Sequence, residues 1–434
     1  MDKMADVLGR AGAWCGQNKY LSAIKNAFQN FMPLTIAGAI GVLWCNVLVN
    51  ESTGLGIFFK PIMALDFLNP AFQAVNFCTI SCITVGITLG IAQEIGVWNM
   101  GAEKAGYIPG LVGLAAWLSV TNTSHMVEGA KEAFTGIAGN ELGATGLFTG
   151  MIIGVLSVEL FCFFEKQDAL KIKMPEQVPP GVARAFEVLV PATITLIITA
   201  CIGSACYNLT GLYLNDVIKN GIQGPLGAVG ATIPGVMIIY LVIMLFWLVG
   251  IHGNNMLSAV KEALFTPLAL ENVEKFNKGE KPTNIINMYF LQMCGEFGGS
   301  GVTIGLVIAI MIFGKREDNK AIATLSLVPG LFNINETVTF GIPMVLNPIL
   351  GIPFVFACLV TILVGYVLTV IGFCPVACLT VPWTTPPIVF GFLACGANVM
   401  GAVTQAILIV VSTVIYVPFL ISYEKYQNKQ AAEA

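Results

Sequence analysis

Long stretches of this chain carry almost no charge, and that property restricts it to a membrane-spanning fold. Segments 28–49, 151–164, 188–206, 236–251, 302–313 and 353–373 are apolar and nearly uncharged. Several reach the roughly 20 residues that a helix needs to cross about 30 Å of hydrocarbon. Only 11% of the 434 residues are charged, and the mean hydropathy is +0.81. A soluble domain uses roughly 25% charged residues to cover its surface. In hydrocarbon every backbone polar group must be bonded internally, so the expected fold class is an all-α integral membrane protein. Length sets no domain count here, because one helical bundle can absorb the whole chain.

Spans are expected near 28–49, 72–92, 108–121, 143–164, 185–206 and 229–250. A broken region follows at 285–313, a longer one at 320–394, and a last span at 397–422, giving eight to ten crossings. Residues 1–27 form no apolar secretory segment. Val7, Ala11 and Trp14, then Leu21, Ile24 and Phe28, keep helical spacing, which predicts an amphipathic helix at the interface leading into the first span. A charged, proline-bearing segment at 165–184, with Pro175, Pro179 and Pro180, reads as a cytoplasmic linker. It separates an N-terminal transmembrane part, 28–164, from a C-terminal part, 185–422, that is followed by a cytoplasmic tail at 423–434.

Lys and Arg mark the cytoplasmic side. Lys3, Arg10, Lys19 and Lys25 precede the first span; Lys166, Lys171, Lys173 and Arg184 follow the fourth. Lys261, Lys275, Lys278 and Lys281 follow the sixth, and Lys425 and Lys429 the last. Both termini are therefore expected in the cytoplasm. Lys315, Arg316 and Lys320 break the alternation unless 285–313 is a re-entrant hairpin, for which Gly298-Gly299-Ser300-Gly301 is a suitable tip.

Two function classes recede at once. The net charge is −4, with no dense Lys/Arg cluster, so no nucleic-acid partner is expected. The twelve cysteines include no C-x-x-C pair. Cys78 with Cys82, and Cys374 with Cys378, have the spacing of neighbours on one helix face and read as packing residues, so no metal is expected.

The polar residues within the apolar background carry the functional signal, because an ionisable group at a span centre costs roughly 2.5–3.5 kcal/mol or more. Pro329, Pro343, Pro348, Pro353, Pro375, Pro382, Pro386 and Pro387 crowd the last third. Each removes a backbone donor, and helices broken at membrane depth line cavities or transport sites. Gly250-Ile251-His252-Gly253-Asn254-Asn255 directly follows an apolar run, and Asn333-Ile334-Asn335-Glu336 lies between two others. His252 is a natural partner for Glu336; each also has a structural alternative, as a satisfied buried His or as a helix-capping carboxylate. Glu296, beside the glycine tip, lines the cavity or caps it. Trp383 stacks on a sugar ring or anchors the interface. His125 reads as a solvated loop residue, and Glu159 and Glu187 as span-end carboxylates reaching the interface.

Gly250–Asn255 as a run, the linker sequence Lys173-Met174-Pro175-Glu176-Gln177-Val178-Pro179-Pro180, and above all Asn335-Glu336-Thr337-Val338-Thr339-Phe340-Gly341-Ile342-Pro343-Met344-Val345-Leu346-Asn347-Pro348 carry a resemblance. The chain resembles the enzyme IIC membrane subunit of the bacterial sugar phosphotransferase system, within the lactose/cellobiose/diacetylchitobiose family. It departs at Thr337, where the family often has Pro. The resemblance implies about ten transmembrane helices with two re-entrant hairpins, a homodimer in the bacterial cell membrane, and an elevator-like movement of the sugar site. It implies import of a disaccharide whose 6-hydroxyl is phosphorylated by a cysteine-phosphorylated IIB protein, itself supplied by IIA. It places His252 and Glu336 on that hydroxyl as the catalytic pair, with Asn254, Asn333, Asn335 and Trp383 as further sugar contacts. The N-terminal part would then serve as scaffold and dimerisation surface, and the C-terminal part would hold the substrate. Any phosphotransferase activity would require IIB. No phosphate-cradling G-x-x-x-x-G-K loop is present, so no cofactor is expected; a separate donor protein docking at the cytoplasmic face would explain that absence. The competing readings are an ion-coupled secondary sugar transporter, using Glu336 and His252 for protons, and a membrane receptor or enzyme that transports nothing.

Overall fold

The computed structural model describes residues 10, 13–14, 17–50, 56, 59–125, 134–175, 177–342, 344–345 and 347–433. Among the described residues the only strands are Ser124–His125 and Phe134–Thr135, one antiparallel pair; the fold is all-α, as expected. Among the described residues five helices are long and apolar enough to span a membrane: Lys19–Leu48, Ala144–Glu165, Pro180–Thr210, Gly351–Val370 and Val399–Glu433. Two bent pairs pass the same test together, Lys60–Ser81 with Ile83–Met100 at 41° and Met288–Val302 with Ile304–Phe313 at 59°. The second pair occupies the expected broken region and turns at the glycine tip. The rest of the expected crossing count rests on Ile108–Val120 and Ile233–Leu248, of 13 and 16 residues, and on the broken stretch 320–394. Val7 and Ala11 of the expected amphipathic segment lie outside the described residues. From Lys19 onward, Leu21, Ile24 and Phe28 belong to the helix that becomes the first span.

Two compact units divide the chain: Ala39–Gln73 with Ala228–Ala434, and Gln17–Gly38 with Ala74–Gly227. The second unit packs its helices through small residues, as bundles in lipid do. A β-carbon on Gly113 would collide with Ala92 Cβ. Two of its buried hydroxyls tie elements together: Thr84 donates to Gly143 O at 2.7 Å and Thr149 to Asn215 Oδ1 at 2.6 Å. The whole of 165–184 lies in this unit, and its two ends are joined. The buried Glu165 carboxylate accepts from Arg184 Nη1 at 2.9 Å and pairs with Lys104 Nζ at 2.8 Å. Glu187 pairs with Arg184 at 2.7 Å and Glu159 with Lys19 at 2.6 Å, so neither carboxylate is a lone interfacial charge.

The first unit is organised by buried amides. Gln405 Oε1 accepts from Ile388 N and Gly391 N at 2.7 Å each, and its Nε2 donates to Met293 O at 3.1 Å. Asn272 and Asn287 both donate to Ala377 O, at 3.1 and 3.0 Å. These bonds satisfy irregular backbone that hydrocarbon could not. Irregular backbone is where the prolines put it: helices end at Leu331, Gly341 and Val370, and 371–388 is non-helical. Two prolines of the stretch 320–394 lie within helices: Pro329 two residues before the end of Glu317–Leu331, and Pro353 in the first turn of Gly351–Val370, where the missing N–H has no partner to lose. Pro343 lies outside the described residues. The start of the helix Glu317–Leu331 is held by the buried Glu424 carboxylate, which accepts from Lys315 N at 2.9 Å and Asn319 Nδ2 at 3.2 Å. The Arg316 guanidinium hydrogen-bonded to Asp318 holds that carboxyl below its ordinary range.

Candidate functional site

Within the first unit, helix Ile233–Leu248 ends in a turn, and His252 caps the following short helix Gly253–Met256. His252 Nδ1 accepts from Asn255 N at 3.3 Å. A neutral imidazole whose Nδ1 is an acceptor carries its proton on Nε2. That Nε2 faces Glu336, 3.9 Å from Oε1. The imidazole also packs on the buried Trp247 indole, with ring centroids 4.4 Å apart, which limits its rotation.

Glu336 opens the short helix Glu336–Gly341. The side chains of His252 and Glu336 are 38% and 47% exposed, so both remain reachable from outside the packed interior. At 3.9 Å they are too far apart for a direct hydrogen bond. One oxygen placed about 2.8 Å from each would close the gap at an angle of roughly 90°, within the range open to a hydroxyl. Thr337 sits second in this helix, where an N–H needs no intrahelical partner and proline fits equally well. The departure there is therefore neutral for the helix.

The structure places the expected asparagines around the glycine tip. Asn333 adopts a left-handed φ of +64°. Its Oδ1 accepts from Gly298 N at 2.6 Å, and its Nδ2 donates to Thr385 O at 3.2 Å and to Trp383 O. Asn335 is buried and donates to Ser300 O at 2.8 Å. Both amides thus bind backbone: Asn333 has both its N–H donors engaged, which leaves it only acceptor capacity for a ligand, whereas Asn335 uses one of its two donors on Ser300 O. Asn254 Nδ2 donates to Ser300 Oγ at 3.0 Å. Trp383 stands in the turn closed by Thr385 N to Pro382 O at 2.9 Å, with its indole 44% exposed.

Sequence reasoning missed the charged group behind this cluster. Lys261, counted among the loop cations, is 6% exposed within the helix Ser258–Asn277. Its ammonium forms a salt bridge with Glu296 and donates to Asn254 Oδ1 at 3.1 Å. Glu296 Oε1 also accepts from the buried Tyr240 hydroxyl at 2.7 Å. The signal was present: opposite charges at 261 and 296 both border apolar sequence, where a lone charge is costly. Glu296 is therefore not an isolated acid; it is one half of an ion pair with the buried Lys261. Among the described residues no group of three or more His, Cys, Asp or Glu side chains gathers that could hold a metal ion.

An apolar helical bundle with broken helices gathered around a polar centre defines a membrane transport protein. Residues 25–358 match the family model "Phosphotransferase system, EIIC", and the chain belongs to that family of membrane sugar permeases. It is 33% identical over 429 residues to the oligo-beta-mannoside-specific EIIC component of Bacillus subtilis (strain 168), covering 98% of this chain and 94% of that one. It is 29% identical over 486 residues to the cellobiose-specific EIIC component of Lactococcus lactis subsp. lactis (strain IL1403), covering 98% of each. Among solved structures it is similar to the transporter ChbC, the IIC component of the N,N'-diacetylchitobiose-specific phosphotransferase system. That match has a TM-score of 0.88 at 29% identity and covers 97% of each chain.

Proposed function

We propose that this permease imports a β-linked disaccharide of the cellobiose or diacetylchitobiose type, with His252 and Glu336 holding the 6-hydroxyl while a phosphocysteine of a separate IIB protein delivers the phosphoryl group. The observation that carries the reading is the 3.9 Å separation of His252 Nε2 and Glu336 Oε1, which a single hydroxyl oxygen can bridge. In the transfer the sugar oxygen attacks phosphorus, the S–P bond breaks, and the hydroxyl proton must leave. Nδ1 of His252 is already an acceptor, so Nε2 is a donor that orients the oxygen. The Glu336 carboxylate is the group left to take the proton. IIA would recharge IIB.

Asn254, Asn333 and Asn335 would meet the sugar with whatever hydrogen-bonding capacity their bonds within the protein leave, and Trp383 would stack on its apolar face. Trp383→Ala is expected to raise KM about tenfold, near 1.4 kcal/mol, with little change in kcat; an unchanged KM would make Trp383 an interface anchor only. We also place both termini on the cytoplasmic side of a bacterial membrane and read the assembly as a homodimer embedded in lipid. The C-terminal part, 185–422, would carry the sugar and move in an elevator-like step. The N-terminal part, 28–164, would be scaffold and dimerisation surface, 1–27 an interfacial helix, 165–184 a cytoplasmic linker and 423–434 a cytoplasmic tail.

The test uses vesicles and labelled cellobiose, with and without phosphorylated IIB and its upstream partners, followed by a panel of β-linked disaccharides. Sugar phosphate formed only with the partners is the expected result. Free sugar accumulating on a proton or sodium gradient would overturn it in favour of an ion-coupled carrier.

A further inference from the structure

The turns that carry His252 and Glu336 are anchored on one common residue. Asn254, two positions after His252, donates to Ser300 Oγ at 3.0 Å. Asn335, immediately before Glu336, donates to Ser300 O at 2.8 Å. Ser300 is itself buried in the glycine tip, 5% exposed. We propose that Ser300, with the Lys261–Glu296 pair behind it, is the positioning device that fixes the distance between His252 and Glu336, and so governs the rate of phosphoryl transfer rather than sugar affinity. The proposal rests on the reading of His252 and Glu336 as the pair that holds the hydroxyl.

The bonding order leaves little freedom. An amide side chain has an accepting end and a donating end, and an ammonium only donates. Lys261 Nζ lies 3.1 Å from Asn254 Oδ1, which turns the Asn254 NH2 away from it and onto Ser300. Lys261 is held in turn by the Glu296 carboxylate, and that carboxylate by the Tyr240 hydroxyl at 2.7 Å. A chain of hydrogen bonds thus runs from Tyr240 in the helix Ile233–Leu248 through Glu296 and Lys261 to Asn254, in the turn that presents His252, and on to Ser300 in the tip. The same tip residue then reaches the turn that presents Glu336. The two site residues approach no closer than 3.9 Å, so their spacing is set by these anchors. A displacement of about 1 Å in such a constellation costs on the order of a hundredfold in rate.

Ser300→Ala removes one oxygen and leaves the backbone bond from Asn335 in place. With labelled cellobiose and phosphorylated IIB, kcat is expected to fall about tenfold or more while KM stays within about threefold. The double variant Lys261→Met/Glu296→Gln releases Asn254 without leaving a buried charge unpaired, and the same split is expected. Wild-type kcat in Ser300→Ala would overturn the proposal. So would a loss of kcat and affinity in parallel, the sign of a generally damaged fold. If the double variant fails to reach the membrane, Ser300→Ala decides alone. Glu336→Gln is assayed alongside: full transfer in that variant would overturn the underlying reading of the pair, whereas an inactive Glu336→Gln beside an unaffected Ser300→Ala would overturn only the positioning role.

Discussion

Glu336→Gln is expected to lower phosphoryl transfer to sugar by about 10²–10⁴-fold, the usual contribution of a positioned acid or base. The protein should still assemble and bind sugar. The amide has the shape of the carboxylate and can still hydrogen-bond a hydroxyl, but it cannot take its proton. The structural cost is small because the side chain is half exposed and the helix it opens has only six residues. Losing a carboxylate from a first helical turn forfeits about 0.3–1 kcal/mol. The measurement is single-turnover transfer from phosphorylated IIB to labelled cellobiose, with equilibrium sugar binding measured separately. Unimpaired transfer would remove Glu336 from the chemistry and leave His252 as the group to test. Loss of binding together with transfer would make Glu336 a plain sugar ligand.

How much of this was legible in the sequence depends on which interaction carries the feature. Span positions follow from apolar runs, because water and hydrocarbon discriminate residue by residue; each expected span from 28–49 to 397–422 has helix in its place. The broken stretch 320–394 followed from proline for the same local reason, with Pro353 escaping because it fell in a first helical turn; 285–313 holds no proline, and its break followed from the glycine tip and the Lys/Arg alternation. The pairing of His252 with Glu336, 84 residues apart, was legible only because each is a polar group that hydrocarbon penalises. Lys261 obeyed the same rule but was hidden by its position just after an apolar run, where it looked like a loop cation. Tyr240 gave no signal, and Ser300 none beyond its place in the glycine tip. A serine among glycines and a tyrosine in an apolar helix are ordinary, and their roles arise from three-dimensional contacts at 2.7–3.0 Å. The asparagines were legible as important but not in kind: a left-handed Asn333 bonded to two loops is a backbone clamp, and spacing does not distinguish a clamp from a ligand.

Gly299→Ala is expected to damage the protein severely, because backbone conformation and packing both forbid a side chain at that position. Gly299 holds φ +89° and ψ −175°, a conformation essentially reserved for glycine and costing about 1–3 kcal/mol for other residues. An added β-carbon would also lie 2.5 Å from Asn335 Cβ and 2.6 Å from its Cγ. Asn335 is buried and bonded to Ser300 O, so it cannot swing aside without breaking the anchor of the Glu336 turn. Overpacking of that kind adds about 1–3 kcal/mol, giving a combined loss of about 2–6 kcal/mol. The comparison is Gly279→Ala. That glycine also has a positive φ, +73°, but a β-carbon there meets nothing within 4 Å. Only conformational strain of about 1–2 kcal/mol is expected at that position, with transfer activity retained. Thermal unfolding in detergent and sugar phosphorylation, measured on both variants, separate the two effects. A Gly299→Ala protein as stable and as active as Gly279→Ala would mean that the tip can retreat from Asn335. The Glu336 turn would then not depend on the close approach of Gly299 to Asn335.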